Sequence, residues 1–255
     1  MRILVTNDDG IDSMGLRVLA RTLVHRGHDV FVVAPASEHS GAGAAIGPIH
    51  RNDPAPTWIH DWPELPGGVV VALEGPPALC TYGGCLGAFG AKPDLVVSGI
   101  NPGHNTGHLV IHSGTVGAAM TAANFGVPAI AVSIGWNEDP EWFTAAAIAA
   151  DAVPVLAARG GDPVVFNINV PNVPIDGLRG IRDATLGTEG AAWVMTAAHI
   201  DERLVLDFMM NEQSLDPGSD VALLEDGYAA VTVLTGVASD SAPGVAALIT
   251  AAGSD

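Results

Sequence analysis

An α/β fold with a mainly parallel sheet is predicted by three observations. Apolar runs with strand character alternate with helix-period segments through about the first 170 residues. Strand, helix and strand succeed one another within about 33 residues at the start of the chain, the spacing of a right-handed βαβ unit. Glycine and proline punctuate these segments: Gly27 and Pro35 close a helix and a strand, Gly75-Pro76-Pro77 opens a helix, and Pro93 introduces a strand.

The elements follow in order. Ile3, Leu4 and Val5 form the first strand, which stops at Asn7-Asp8-Asp9-Gly10. Leu16, Leu19, Ala20, Leu23 and Val24 mark one face of a helix over 14–27. A buried strand follows over 29–33, then a loop of hydroxyls and glycines over 36–43. Pro, Gly and Trp enrich the next stretch, so about 44–68 reads as an excursion from the sheet. Strand 69–73, helix 77–90 and strand 95–98 lead into an unusual loop, Gly99 to Gly114, rich in Gly, Asn and His. A small-residue helix over 115–125 has Ser113 or Thr115 as its N-cap. Strand 127–133, helix 140–158 and strand 164–170 complete the regular alternation. Beyond 172 the pattern shifts to longer, partly antiparallel strands at 193–200, 204–210 and 228–234, an acidic helix at 220–226, and a short 245–250 segment that docks. The expected organisation is a core over 1–172 and a β-rich excursion over 173–255 that is not an independent domain.

Composition excludes several classes. Hydrophobic residues are 48% and charged residues 15%, which is not a disordered chain. A net charge of −18 argues against a nucleic-acid surface. No apolar run approaches the roughly 18 residues that span a bilayer. Asp8 and Asp9 interrupt any signal-peptide core, so a cytoplasmic protein is expected. Cys80 and Cys85, five apart in one predicted helix, fit free core thiols better than a zinc pair.

Three polar clusters follow three predicted core strands: Asn7-Asp8-Asp9, Ser37 to Gly43, and Asn101 to Asn105. Parallel strands bring all three to one sheet edge. Adjacent carboxylates with serine and asparagine oxygens suit a hard divalent ion, magnesium or manganese, better than zinc. Ser113-Gly114-Thr115, opening a helix, offers N–H groups and a dipole to an anion such as phosphate. The acidic chain repels phosphate unless a cation intervenes, and cation plus anion pocket is the equipment of phosphoester hydrolysis. His104, His108 and His112 recur every four residues, but Pro102, Gly103, Gly107 and Gly114 argue against a helix that would stack them.

The motifs Met1-Arg-Ile-Leu-Val-Thr-Asn-Asp-Asp-Gly-Ile11, Val33-Ala-Pro with Ser40-Gly41, Pro93-Asp-Leu-Val-Val-Ser-Gly-Ile-Asn-Pro-Gly-His-Asn105 and Ser113-Gly-Thr-Val-Gly-Ala-Ala119 resemble the survival protein SurE family. The resemblance is strongest over 1–135. It continues through Phe166-Asn-Ile-Asn-Val-Pro171 and Gly218-Ser-Asp220. It implies a Rossmann-like three-layer αβα core and a metal-dependent phosphatase acting on nucleoside 5'- and 3'-monophosphates. It also implies one divalent ion on Asp8, Asp9, Ser40 and Asn101, and dimers or tetramers built through the C-terminal excursion. Asp8 or Asp9 is then the general base, and Asn105, Ser113, Gly114 and Thr115 orient the phosphate. The chain departs from the family pattern at Ala44-Ala45, Pro76 to Leu79 and His108 to His112, none of them an expected metal ligand. Arg26 to Pro35 also resembles the first βαβ of nucleotide-sugar glycosyltransferases, and a non-catalytic nucleotide-binding relative is the third reading.

Overall fold

The structure, a computed structural model, describes residues 1–47, 54–188, 193–210 and 216–237. The 245–250 segment lies outside the described residues. In chain order the elements are β1 (Arg2–Thr6), α1 (Met14–His25), β2 (Asp29–Pro35), β3 (Thr57–Ile59), β4 (Val70–Leu73), α2 (Pro77–Leu86) and β5 (Leu95–Pro102). Then come α3 (Gly114–Asn124), β6 (Ala129–Ile134), α4 (Trp142–Arg159), β7 (Val164–Val170), β8 (Ile181–Asp183), β9 (Trp193–Ile200), β10 (Arg203–Met210), α5 (Asp220–Glu225) and β11 (Ala229–Thr235).

One sheet runs in the order β3-β4-β2-β1-β5-β6-β7-β11-β8. The six strands from β4 to β7 are mutually parallel, as expected. β3 lies antiparallel on β4 at one edge, and β11 lies antiparallel on β7 toward the other. β8 extends the sheet beside β11. The predicted α/β class is therefore right, with a mixed rather than purely parallel sheet.

The apolar face of α1, with Leu16, Leu19, Ala20 and Leu23 fully buried, packs with α4 on one side of the sheet against Ile3, Val5, Val97, Ile130 and Ile168. Cys80 and Cys85 of α2 and Val116, Ala119 and Ala122 of α3 cover the other side, against Leu4, Phe31, Val96 and Val165. Both cysteines are free and buried. Helices on both faces follow from strands that read apolar at every position.

At 18 residues, α4 is long and apolar enough by composition to cross a membrane. Here Ala145, Ala146, Ala149 and Val153 are buried against the sheet, so its apolarity serves the core. A 3-10 helix over Gly107–His112 occupies part of the loop where glycines argued against helix. It excludes His104 and stacks no imidazoles. The β9–β10 hairpin forms a second, two-stranded sheet outside the main one.

Candidate active site

The strand order reverses between β1 and β5. β1 connects through α1 to β2 on one side, and β5 connects through α3 to β6 on the other. The loops leaving their C-terminal ends therefore depart to opposite faces, and the crevice between them is the usual ligand position of an open parallel sheet. Asn7-Asp8-Asp9 occupies one lip and Asn101 the other.

Asn7 holds the turn. Its amide donates to Gly10 O at 3.1 Å and to Ser13 Oγ at 2.7 Å, while Ser13 caps α1 at Leu16 N. Asp8 is 3% exposed and its Oδ1 accepts from the Thr115 hydroxyl. This contact exists because position 114 is glycine: a Cβ there would lie 2.7 Å from Asp8 Cβ and 2.8 Å from its Oδ2. Burial raises the Asp8 pKa; the Thr115 hydroxyl and N–H groups of Gly114 and Thr115 oppose it. The start of α3 thus serves the Asp8 carboxylate directly. Ser113 is the N-cap, accepting from Val116 N at 3.1 Å, and Thr115 is not.

Asp9 is pushed up to about 7, first by burial and then by the charges of Asp8 and Glu38. Its Oδ2 is buried without a hydrogen-bond partner among the described residues. The ion pairs found among those residues join Arg2 to Asp29, Arg17 to Glu64 and Arg26 to Asp151, and none reaches Asp8 or Asp9. Neither carboxylate of the pair has a cationic partner among the described residues.

Ser40 and Asn101 complete the predicted donor set. Ser40 is exposed in the loop after β2, and its hydroxyl donates to Glu38 Oε1 at 2.8 Å, which leaves the oxygen lone pairs open. The loop is tied to the site through His39 N, which donates to Asp8 O at 2.7 Å. It also rests on α3, where a Cβ at Gly117 would lie 2.1 Å from Gly43 O. The amide nitrogen of Asn101 donates to Gly103 O at 2.6 Å; a carbonyl can only accept, so the free end of Asn101 is its oxygen. The set fits a hard divalent cation: two carboxylates with no ion pair among the described residues, one of them with an orphaned buried oxygen, and two neutral oxygens. No three His, Cys, Asp or Glu side chains converge into a metal cage among the described residues. Any ion here is held partly by neutral donors.

Asn105 is held by side chains of β6 and β7. Its backbone N–H donates to Asn169 Oδ1 at 2.7 Å, and its carbonyl accepts from Asn167 Nδ2 and Asn169 Nδ2, both at 2.9 Å. Its side chain bonds Ser133 Oγ at 2.8 Å. Two residues on, Gly107 N donates to Asp220 Oδ2 at 2.8 Å. Asp220 is fully buried, and its Oδ1 also accepts from Gly187 N and Val221 N. Ser133, Asn167, Asn169 and Asp220 were not among the residues expected at the site. The two asparagines did carry a signal, being polar at i and i+2 inside the apolar run Val164 to Val170. His104 is structural: Nε2 donates to Val170 O at 2.9 Å, and burial lowers its pKa. His108 and His112 are exposed.

With this geometry in view, the comparisons with known proteins are specific. A family model for survival protein SurE matches residues 3–192. The 5'-nucleotidase SurE of Stenotrophomonas maltophilia (strain R551-3) is 36% identical over 243 residues, covering 91% of this chain and 88% of that protein. The 5'/3'-nucleotidase SurE of Serratia proteamaculans (strain 568) is 36% identical over 241 residues, covering 92% and 90%. The crystal structure of the SurE protein from Aquifex aeolicus superposes with a TM-score of 0.79 at 27% identity, covering 99% of this chain and all of that one.

Proposed function

The chain belongs to the survival protein SurE family, and from that premise we propose that it is a divalent-metal-dependent phosphomonoesterase that hydrolyses nucleoside monophosphates to nucleoside and phosphate, a 5'-nucleotidase. The observation that carries the metal dependence is the Asp8–Asp9 pair at the strand-order reversal, unneutralised and with Asp9 Oδ2 unpartnered among the described residues.

In this reading Asp8, Asp9, Ser40 and Asn101 hold one magnesium or manganese ion. When bound, the ion supplies Lewis acidity at the phosphoryl group and offsets the field of an acidic chain. The chain's own residues do the rest. Thr115 fixes the Asp8 carboxylate in position. Ser113, Gly114 and Thr115 present the positive end of the α3 dipole to the phosphate, and the Asn105 amide steadies it from the β5 side. Asp8 or Asp9 takes the proton of the attacking water. Ala44, where the family pattern has a polar side chain, leaves the Gly43 end of this loop apolar, which bears on substrate preference.

The proposal carries a cytoplasmic setting, supported by two unpaired buried cysteines. It also carries assembly into homodimers or homotetramers, supported by a β9–β10 hairpin with Leu204 70% exposed. Purified protein should release phosphate from AMP and p-nitrophenyl phosphate with Mn²⁺ or Mg²⁺ and lose that activity with EDTA. Equal activity in Asp9→Ala would sink the site assignment.

A further inference from the structure

The loop between Asn101 and Ser113 joins the expected metal and phosphate positions, yet between the end of β5 at Pro102 and the 3-10 helix at Gly107 its backbone follows no regular element. Something else must give it a fixed shape. Asn169 does what a neighbouring strand would do. Its side-chain oxygen accepts from Asn105 N at 2.7 Å while its side-chain nitrogen donates to Asn105 O at 2.9 Å. Because a backbone N–H can only donate and a carbonyl can only accept, this pair leaves no freedom to flip the amide. Asn167 adds a second donor to the same carbonyl. Ser133, from β6, holds the Asn105 side chain, and all three residues are fully buried on rigid central strands. Two residues on, the buried Asp220 holds Gly107 N.

We propose that Asn169, with Asn167 and Ser133, is a positioning residue for the reaction: it clamps the backbone of Asn105 and so sets where the Asn101–Ser113 loop meets a bound phosphate. Its catalytic consequence rests on the phosphatase reading above; the clamp itself does not. The hydrogen bonds rank the three residues. Removing Asn169 leaves the Asn105 N–H without its partner, whereas removing Asn167 leaves Asn105 O with its Asn169 donor. Removing the Ser133 hydroxyl frees only the Asn105 side chain.

The test compares Asn169→Ala, Asn167→Ala and Ser133→Ala with the wild type in two measurements. The first is the inhibition constant of inorganic phosphate against p-nitrophenyl phosphate with Mn²⁺, which a smaller folded fraction does not move. It is expected to rise at least tenfold in Asn169→Ala, about fivefold in Ser133→Ala and less in Asn167→Ala. The second is hydrogen exchange of the Asn105 amide, expected to quicken at least tenfold in Asn169→Ala and to stay near wild type in Ser133→Ala. A folded Asn169→Ala with both values within twofold of wild type overturns the clamp. Should Asn169→Ala fail to fold, Asn169→Ser, whose hydroxyl is too short to span both bonds, is read in its place, and both values within twofold of wild type overturn the clamp. Should the wild type release no phosphate, the phosphatase reading falls alone and the exchange rate in Asn169→Ala decides the clamp in either direction.

Discussion

Asp9 is the residue whose chemistry reaches furthest. Its pKa of about 7 lies above the ordinary value of 3.8, so the folded metal-free protein binds more protons than the unfolded chain between those two pH values. Stability therefore falls as pH rises through that window, and the full penalty stands above about pH 7. A cation on Asp9 replaces the proton and removes the penalty. The rise in Tm on adding Mn²⁺ should accordingly grow from pH 5.5 to 7.5 and then level off, read by thermal melts across that range. A metal-induced shift independent of pH would count against Asp9 as a ligand. Thr115 offers a subtler test. Thr115→Val removes the hydroxyl from Asp8 Oδ1, and partners that orient a ligand typically contribute 10- to 100-fold in metal affinity. About tenfold weaker Mn²⁺ binding is expected in calorimetry, with Thr115→Ser restored to within twofold.

At the scale of elements, close approach rather than polar chemistry decides the site. Loop 41–47 lies on α3 only because position 117 has no side chain; the atom a Cβ would strike, Gly43 O at 2.1 Å, is backbone and cannot rotate away. Gly117→Ala should lose about 1–3 kcal/mol in urea unfolding and lower kcat/KM, because Gly43 lies three residues after Ser40 in the same connection from β2. Gly236→Ala, with nothing within 4 Å, should stay within about 0.5 kcal/mol of wild type. Such contacts explain what could be read from sequence and what could not. The long elements were legible because hydrophobic period and Gly/Pro punctuation agree: strand 164–170 and the start of helix 77–90 match the structure at the residue. β3 and β8 were not, since three residues carry no period. The edge shared by Asp8 and Asn101 followed from topology alone. The bond from Thr115 to Asp8 spans 107 positions, and the one from Asp220 to Gly107 spans 113, distances over which no local pattern speaks.

At the scale of the whole molecule, the β9–β10 hairpin is a separate two-stranded sheet with exposed apolar side chains. A two-stranded hairpin in water is marginal alone, and this one pairs with no strand of the main sheet. Leu204 and Leu206, two apart on one face, are 70% and 41% exposed. Free energy favours covering such a face, and the proposed homo-oligomer supplies a second hairpin of identical chemistry to do it. A chain of net charge −18 would otherwise repel its copy, so the contact must be apolar enough to outweigh that field. Light scattering after size exclusion should give two or four times 25.9 kDa. Leu204→Glu with Leu206→Glu should shift the protein to a single chain, because each copy would then bury like charges against its partner. Core stability should change little, since neither side chain touches the nine-stranded sheet's buried clusters. A wild-type protein that runs as one chain at micromolar concentration would leave the hairpin without this partner and overturn the assembly, while the Asp8–Asp9 site, built wholly within one chain, would stand unaffected.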